Sequence, residues 1–328
     1  MSYTRWNTYS SYLKRRYGHP VYRIGVDGGF SCPNRNPDKS GGCAFCDGTG
    51  SAAVYQRQSE SGFFHDSAFE EEVSSRIIAR YASIEEQIRK GQAFVRSRYR
   101  TDDVSLYFQS WTNTYDSAEN LRRIYDRALS CGRFRELIIS TRPDCIDREK
   151  ARLLASYASD DMDVWVELGL QSANDSTLEY INRGHSASCY RDAADLLHEH
   201  GIRISTHIII GLPHETRDDY DRTVRLVNEA GSEAVKIHNL HVTGGTRLED
   251  EYREGLFTVP SSLRHLENTE RALRLLGSSV IVQRLVCETP MHRLAAPRSF
   301  YDKSRFLTAL ENRMREHDTR QGDLYEGS

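Results

Sequence analysis

Hydrophobic and polar positions follow two alternating patterns from about Val21 onward. Short runs of β-branched and aliphatic residues are separated by longer stretches in which apolar residues recur with the spacing of an amphipathic helix. Regular alternation of the two indicates repeated βα units around a parallel sheet. The predicted strands are 21–26, 104–108, 136–140, 164–168, 202–210, 234–240 and 279–286.

Amphipathic stretches lie between most of these strands. They predict helices over 69–90, 118–129, 148–158, 187–200 and 217–230. Seven strands with helical crossovers favour an α/β fold, a full or partial TIM-type (β/α) barrel, over a sandwich or a bundle. No repeat or Pro/Gly/Ser-rich linker divides the chain. We therefore predict a basic aromatic N-terminal segment (1–20), one barrel (21–300), and a C-terminal helix with a polar tail (301–328) that is frayed from 315 onward.

Length and composition agree with a barrel, because 328 residues are enough to bury a sizeable core. No window approaches the ~20 apolar residues that cross a bilayer, and the amino terminus lacks the apolar run of an export signal. We therefore predict a cytoplasmic protein without membrane contact. The formal net charge of −3 argues against a generally basic nucleic-acid binder and leaves room for local patches.

The first 23 residues form one such patch, since they are rich in basic and aromatic residues and contain no Asp or Glu. Its members are Arg5, Lys14, Arg15, Arg16 and Arg23, with Tyr3, Trp6, Tyr9, Tyr12, Tyr17 and Tyr22. Such side chains are suited to meet phosphates and to stack on unpaired bases. A solvated helix face that acts as a lid on the barrel explains the pattern equally well.

Three of the seven cysteines are clustered, which points to metal ligation or catalysis in a reducing compartment. Ten residues rich in turn formers separate Cys32 from Cys43, and Cys46 completes a Cys-x2-Cys pair. Three thiolates on a four-iron cluster leave one iron without a protein ligand. The alternatives are a structural zinc site completed by His19 or His65, or buried thiols without metal. The loop follows the first predicted strand, at the mouth where active sites of barrels lie, which favours the cluster.

A series of further motifs follows this loop in a characteristic order. The segments are CPNRNPDKSGGCAFC (32–46), STRPD (140–144), ELGLQS (167–172), NRGH (182–185), HIIIGLP (207–213), GGTRL (244–248) and VQRLVCETP (282–290). Together they resemble the radical S-adenosylmethionine (SAM) enzymes of the YhcC/YtqA (MnmL-type) family. They are more distantly similar to the radical SAM half of the elongator catalytic subunit. The resemblance covers roughly residues 5–300 and implies a barrel of the radical SAM type.

The resemblance also implies the cofactors. Cys32, Cys43 and Cys46 would hold a 4Fe-4S cluster whose open iron binds the amino and carboxylate groups of SAM. Electron transfer from the reduced cluster then cleaves SAM to methionine and a 5′-deoxyadenosyl radical, which takes a hydrogen atom from the substrate. An electron donor such as flavodoxin or ferredoxin would reduce the cluster, while the barrel positions and shields the cofactors.

Four residues are candidates for SAM binding in the motifs. Glu167, at the predicted end of a strand, would meet the amino group or the ribose hydroxyls; the alternative is a surface or ion-paired carboxylate. Arg183 would clamp the SAM carboxylate through a two-donor fork, and its alternative is a helix-surface arginine. Gln171 would hydrogen-bond the cofactor. Phe45, between two ligands, would pack on adenine, unless it only fills the core.

Five further residues follow or end predicted strands. Gln109 is a candidate cofactor contact. Arg142 and Asp144 are candidates for substrate binding, although an ion pair between strand and helix explains both equally well. His238 and His241 flank the end of the sixth strand and are candidates to contact substrate, with a hydrogen-bonded barrel histidine as the alternative.

The segment 211–216 matches the part of radical SAM barrels that lines the cofactor, but His207 stands where the broader signature places a glycine. Cys131, Cys145 and Cys189 are scattered and predicted to be structural. Cys287 lies at a predicted strand end, so it either faces the substrate or is a buried thiol.

The resemblance implies transfer RNA as the substrate. The implied reaction converts the carboxymethylaminomethyl group on carbon 5 of the wobble uridine to aminomethyl. Support from the residues themselves is the N-terminal patch together with Arg96, Arg98 and Arg100. Two alternatives remain open, a radical SAM enzyme acting on a small metabolite or peptide, and a non-catalytic, zinc-bound RNA-binding protein.

Overall fold

A computed structural model describes residues 4–36, 40–46 and 83–327 of the chain. The strands are β1 (Tyr22–Val26), β2 (Val104–Phe108), β3 (Glu136–Thr141), β4 (Asp163–Gln171), β5 (Arg203–Ile210), β6 (Ala234–Asn239), β7 (Val242–Thr243), β8 (Ile281–Arg284) and β9 (Leu294–Ala296). Seven of them form one parallel sheet in the order β1-β2-β3-β4-β5-β6-β8, and β7 pairs antiparallel with β9. Each of the seven predicted strands is present.

The two faces of the main sheet carry different side chains. Apolar residues on the outer face, such as Leu106, Val166 and Val235, pack with the helices in the largest core cluster. The inner face holds a smaller apolar cluster that includes Tyr107 and Trp165. Alternate residues of a strand project to opposite faces, which produces this division. Within the described residues no ladder joins β8 to β1, so the predicted barrel is confirmed in its partial form.

Helices connect the strands as predicted. They are α1 (Tyr9–Tyr17), α2 (Ile84–Tyr99), α3 (Ala118–Leu129), α4 (Arg148–Ala155), α5 (Asp175–Tyr180), α6 (Ala187–Glu199), α7 (Arg217–Glu229), α8 (Arg247–Arg253), α9 (Ser262–Leu275) and α10 (Lys303–Glu316). Side-chain caps set several of their starts: Ser117 accepts a hydrogen bond from the Asn120 N–H, and Thr216 forms a capping box with Asp219. The part of the predicted 69–90 helix before residue 83 lies outside the described residues, and α2 continues beyond Lys90 to Tyr99.

Helix α1 closes the amino-terminal end of the barrel. The Tyr17 hydroxyl donates to Asp163 at 2.7 Å, and Arg16 donates twice to the same carboxylate at 3.0 Å. Tyr9 donates its hydroxyl to Glu136 on β3. The interpretation of the N-terminal patch as a barrel lid is therefore confirmed for Tyr9, Arg16 and Tyr17. The hydroxyls of Tyr9 and Tyr17 are thus occupied by acids on the strands, whereas Arg16 stays partly exposed, and the interpretation of the patch as a nucleic-acid contact stays a prediction.

The C-terminal tail is docked on the barrel. Gln321 donates to the Gly277 carbonyl at 2.7 Å and to the Val280 carbonyl at 2.8 Å. Thr319 donates to Glu270 at 2.8 Å, and both Gln321 and Thr319 are 8% exposed. The expectation of a frayed tail is wrong up to Leu324, because these polar side chains satisfy groups on the barrel and the Leu324 N–H donates to the Arg274 carbonyl at 2.8 Å. None of the helices in the described ranges is long and apolar enough to span a membrane.

Candidate active site

The loop that carries the three cysteines, residues 31–46, follows β1 at the carboxyl end of the sheet and is held by neighbouring segments. The Ala44 N–H donates to the Ile181 carbonyl at 2.8 Å, and the Ala44 carbonyl accepts from the Leu248 N–H at 3.2 Å. Asn182 donates its side-chain amide to the Gly42 carbonyl at 2.8 Å. The NRGH motif, more than a hundred residues away in sequence, therefore shapes this cysteine loop directly.

Polar donors surround two of the three sulfur atoms. Arg183 Nη1 lies 3.5 Å from Cys43 Sγ, and Asn34 Nδ2 lies 3.6 Å from the same sulfur. Arg35 Nη2 donates to Cys46 Sγ at 3.2 Å. Donors aimed at sulfur stabilise the thiolate, the form that binds metal.

The electrostatics of Cys43 follow from these neighbours. Burial acts to raise the pKa of its thiol, but the charge and hydrogen bond of Arg183 oppose burial, aided by Arg142 and the Asn34 amide. The net effect lowers the pKa of Cys43 below its ordinary value. The loop is therefore chemically suited to supply a thiolate ligand.

Arg183 reaches the cysteine loop by crossing the end of β4. Its Nη2 donates to the Gly169 carbonyl at 2.6 Å, and a β-carbon on Gly169 would lie only 2.4 Å from that nitrogen. A larger residue at position 169 would therefore displace the Arg183 guanidinium from this path. The alternative of a helix-surface arginine is wrong because Arg183 is 7% exposed, while its clamping of the SAM carboxylate stays a prediction.

Arg142 lies against the other side of the loop. It donates from Nε and Nη2 to both carboxylate oxygens of Asp144 at 2.9 Å each, so the predicted ion pair is present. Its side chain is 4% exposed, and its pKa is affected by the charges of Cys43 and Cys32. The structure thus brings Arg142, Asp144 and Arg183 together with the ligand loop.

Two buried N–H groups at this position have no acceptor among the described residues, Arg142 Nη1 and Arg183 Nε. A buried donor without an acceptor costs about 1–3 kcal/mol, so such atoms mark places where a ligand completes the hydrogen bonding. Both belong to guanidinium groups, which prefer anionic acceptors. This arrangement fits an anionic cofactor next to the three cysteines.

The structure also tests the zinc alternative. In the described part of the chain, no three His, Cys, Asp or Glu side chains converge closely enough to hold a single metal ion. His19 precedes β1 and lies 3.6 Å from Asp103, at the opposite end of the sheet from the cysteine loop, so its predicted role as a zinc ligand is wrong. His65 lies outside the described residues. Cysteine thiolates are the usual ligands of a four-iron cluster, and the loop supplies three of them.

Glu167 is the centre of a buried polar network inside the barrel. Its Oε2 accepts from Tyr107 at 2.6 Å and Lys236 at 2.6 Å, and lies 3.0 Å from His207 Nε2. Its Oε1 accepts from Arg23 at 3.0 Å. Burial acts to raise the pKa of Glu167, but the charges of Lys236 and Arg23 outweigh burial and hold it well below the usual range.

The predicted position of Glu167 at a strand end is wrong. β4 continues three residues beyond the predicted end to Gln171, so Glu167 lies in mid-strand and its side chain is fully buried. The ion-paired alternative is observed, although within the barrel and not on its surface. A contact between this carboxylate and SAM would have to replace one of its four partners, and that role stays a prediction.

The other candidate SAM contacts lie near the mouth. Gln171 ends β4 with a φ of 75°, a left-handed backbone conformation that few side chains adopt, and it is 9% exposed. Gln109 follows β2, and its N–H donates to the Val26 carbonyl at 3.2 Å. Phe45 packs against a second core cluster that includes Ile181 and Leu248. Core packing therefore accounts for the position of Phe45, while its contact with adenine stays a prediction.

The candidate substrate contacts divide into two kinds. His238 faces the barrel interior with its ring 5.2 Å from that of His207, and its Nε2 has no partner among the described residues. His241 is hydrogen-bonded, with Nδ1 2.7 Å from Thr289 Oγ1 and Nε2 2.6 Å from Asn239 Nδ2. His241 is thus the hydrogen-bonded histidine of the alternative interpretation, whereas one ring nitrogen of His238 has no hydrogen-bond partner in the described part of the chain.

Cys287 lies beside His241 at the end of the sheet. Its thiol contacts the Asn239 carbonyl at 3.3 Å, and burial raises its pKa to about 11. Burial likewise raises the pKa of Cys145 to about 12, so both are neutral thiols at physiological pH. The interpretation of Cys287 as a buried thiol is favoured over one that faces the substrate, because a neutral, hydrogen-bonded thiol is a poor nucleophile.

Several site residues escaped the sequence analysis. Asn34 and Arg35 lie in the cysteine loop itself, and this position was the feature of the sequence that could have identified them. Trp111 follows β2 with a φ of 66°, and the Arg35 guanidinium lies 5.4 Å from its ring centre. A bulky aromatic residue in the left-handed region stores strain, which is common near functional sites. No local pattern in the sequence reports that conformation.

Comparison with known proteins agrees with this geometry. The chain is 29% identical to YtqA of Bacillus subtilis over 323 residues, 98% of this chain and 93% of the relative. It is 30% identical to YhcC of Escherichia coli over 312 residues, 95% of this chain and 93% of the relative. The similarity therefore extends over nearly the whole length of such relatives.

A solved structure has the same fold. Elp3 from the archaeon Methanocaldococcus infernus superposes with a TM-score of 0.65 at 20% identity, covering 73% of this chain and 60% of the Elp3 chain.

The model of the radical SAM superfamily matches residues 32–227, and that of the radical SAM C-terminal domain matches residues 232–316. The first match includes the cysteine loop, β4 and the NRGH motif. The chain is thus an enzyme of the radical SAM superfamily.

Proposed function

We propose that this enzyme holds a 4Fe-4S cluster on Cys32, Cys43 and Cys46, binds SAM beside it, and modifies the carbon-5 side chain of the wobble uridine in transfer RNA. One observation carries the first part: the Cys43 sulfur receives a hydrogen bond from Arg183, next to two buried guanidinium N–H groups that lack acceptors. Membership of the superfamily supports the same cofactors.

When bound, the cluster and SAM together supply a carbon-centred radical that removes a hydrogen atom from the substrate. The residues of the chain hold and orient the cluster and SAM and shield them from water. Asn34, Asn182 and Arg183 fix the loop and its sulfurs, and Arg183 and Arg142 offer N–H groups to the SAM carboxylate or to the cluster. The polar network around Glu167 closes the barrel beneath them, which keeps water away from the reacting atoms.

Partial similarity to an enzyme named for its tRNA substrate supports transfer RNA as the substrate of this protein. Over 125 residues, 37% of this chain and 26% of the relative, the sequence is 30% identical to the tRNA uridine(34) acetyltransferase of Dehalococcoides mccartyi. From this similarity and the motif order we infer the conversion of carboxymethylaminomethyl to aminomethyl uridine. We place the reaction in the cytoplasm, with a flavodoxin or ferredoxin as electron donor.

The cofactor part is tested by anaerobic reconstitution with iron and sulfide. Wild-type protein should bind about four irons per chain and release 5′-deoxyadenosine from SAM. Cys43→Ser should lose both properties. Cys131→Ser is the matched control, because Cys131 follows α3 and its thiol donates to the Arg127 carbonyl at 3.4 Å, outside the cysteine loop. Colourless protein with one zinc ion would contradict the proposal.

The substrate part is tested on transfer RNA from cells with and without the gene. Loss of the gene should increase carboxymethylaminomethyl uridine at the wobble position and decrease aminomethyl uridine, measured by nucleoside mass spectrometry. Unchanged wobble nucleosides, together with active SAM cleavage, would favour a small metabolite or peptide as substrate.

A further inference from the structure

Arg284 ends β8, the edge strand of the main sheet, and its side chain projects towards the barrel interior. It is the register partner of Lys236 on β6, whose ammonium group lies within the Glu167 network. Neighbouring residues paired in a parallel sheet project to the same face. Arg284 therefore lies at the open side of the lumen.

An irregularity in the pairing of β6 with β8 sets this direction. Val235 pairs with Val282 and Lys236 with Arg284, so Gln283 is an extra residue between the two pairs. Gln283 also turns inward, because its Oε1 accepts from Arg23 at 3.0 Å. Bulges at sheet edges commonly redirect side chains next to active sites, and this one directs Arg284 to the lumen.

Within the described part of the chain, no ion pair neutralises the charge of Arg284. Arg284 is exposed and has no hydrogen bond or ion pair with the rest of the described chain. By contrast, Arg23 and Lys236 share the Glu167 carboxylate. Arginine is always protonated, and the buried carboxylates Glu167 and Glu136 act on Arg23, so neither is paired with Arg284 in the described ranges.

Besides the Glu167 network, two histidines neighbour Arg284 in the lumen. Burial lowers the pKa of His207 to about 4, and the charges of Lys236 and Arg284 act in the same direction. Burial and the Arg284 charge also hold the pKa of His238 well below its ordinary value. His238 keeps a ring nitrogen without a partner in the described ranges. A free guanidinium next to an uncommitted imidazole is a suitable site for an anion.

We propose that Arg284 binds an anionic group of the substrate, a carboxylate or a phosphate, at the open side of the barrel. This rests on the proposed function, since the substrate is taken to be RNA. A carboxylate would come from the carboxymethylaminomethyl side chain, and a phosphate from the backbone that flanks the uridine. Arg284 is a substrate-positioning residue, and the radical chemistry itself does not depend on it.

The kinetic test uses the reconstituted holoenzyme with Arg284→Gln, Arg284→Lys and the control Arg152→Gln, an exposed arginine on the outer helix α4 without a partner in the described chain. Two RNA stem–loops serve as substrates, one with carboxymethylaminomethyl uridine and one with its neutral carboxamide analogue. KM and kcat for the modified nucleoside are measured, with 5′-deoxyadenosine release in the absence of RNA as a second readout.

Arg284→Gln should raise KM about tenfold or more, because a hydrogen bond to a charged group contributes about 1.5–3 kcal/mol. Arg284→Lys should recover part of the loss, and 5′-deoxyadenosine release without RNA should not change. If the carboxylate is the ligand, the carboxamide RNA raises the wild-type KM and removes the difference between wild type and Arg284→Gln. If a phosphate is the ligand, Arg284→Gln weakens both RNAs equally and reduces the salt dependence of binding. A KM within twofold of wild type on both RNAs overturns the proposal.

A chemical experiment separates this proposal from the proposed function. Phenylglyoxal modifies accessible arginines, and peptide mass spectrometry reports the extent at each position. Acetate or inorganic phosphate should protect Arg284 in the wild-type holoenzyme and leave Arg152 unprotected. If neither RNA is modified by wild-type enzyme, the proposed function fails, while selective protection still supports an anion site. Equal modification of both arginines at every anion concentration overturns the proposal that Arg284 binds an anion.

Discussion

Replacing Glu167 by Gln tests whether this carboxylate stabilises the barrel or binds SAM. The substitution keeps the size of the side chain and one hydrogen-bond acceptor, but removes the negative charge shared by Lys236 and Arg23. The side chain of Glu167 is 0% exposed and that of Lys236 is 3% exposed, so water cannot replace the lost charge. We expect Glu167→Gln to be strongly destabilising.

The magnitude follows from the burial of the pair. Removing one partner of a buried ion pair costs about 3–5 kcal/mol, because the other charge is left uncompensated. Lys236→Met alone should cost less, since Arg23 continues to neutralise Glu167. The double variant should be more stable than the sum of the single effects predicts, by about 2 kcal/mol, as expected for residues in direct contact.

The assay is urea unfolding of the four proteins, followed by circular dichroism, with SAM affinity measured on the folded holoenzyme. Glu199→Gln is the matched control, because Glu199 pairs with Arg148 on the surface, where both side chains are more than half exposed. It should change the free energy of unfolding by less than about 1 kcal/mol. Unchanged stability of Glu167→Gln combined with a large loss of SAM affinity would refute the structural role and favour SAM binding.

Three further predictions concern the mouth of the barrel. Arg183→Gln should reduce the iron content after reconstitution and raise the SAM dissociation constant at least tenfold, since it removes the charge beside Cys43; iron and SAM binding equal to wild type would contradict this. Gly184→Ala should lower the thermal midpoint and the iron content, because a β-carbon would lie 2.9 Å from Asn34 Oδ1 at a φ of 75°; an unchanged midpoint would exclude that strain. Burial raises the pKa of Glu215 to about 8, so the folded state favours its protonated form; that stability is complete below about pH 4.5 and is lost as the pH rises towards 8. Glu215→Gln should therefore flatten the decline of the thermal midpoint between these pH values, and parallel curves for the two proteins would contradict the assignment.

The order of strands and helices was predictable from the sequence, because hydrophobic periodicity is local and each βα unit carries its own pattern. α3 spans the predicted residues 118–129, and each of the seven strands lies within three residues of its prediction at its start or end. The position of the cysteine loop at the mouth followed from its place after the first strand, since parallel strands end at one edge of the sheet. Motif order then identified the superfamily, which the family model confirms.

Contacts between distant segments were decided only by the tertiary structure. The partners of Glu167 come from four other strands, β1, β2, β5 and β6, and no local pattern shows that their polar side chains meet inside the barrel. The same limit applies to the N-terminal patch, in which the hydroxyls of Tyr9 and Tyr17 donate to Glu136 and Asp163. It applies also to Arg284, which faces the lumen because of a bulge. Residue types and their spacing in the sequence define what a site can bind. The burial and neighbours of each side chain, which the whole fold sets, determine what it does bind.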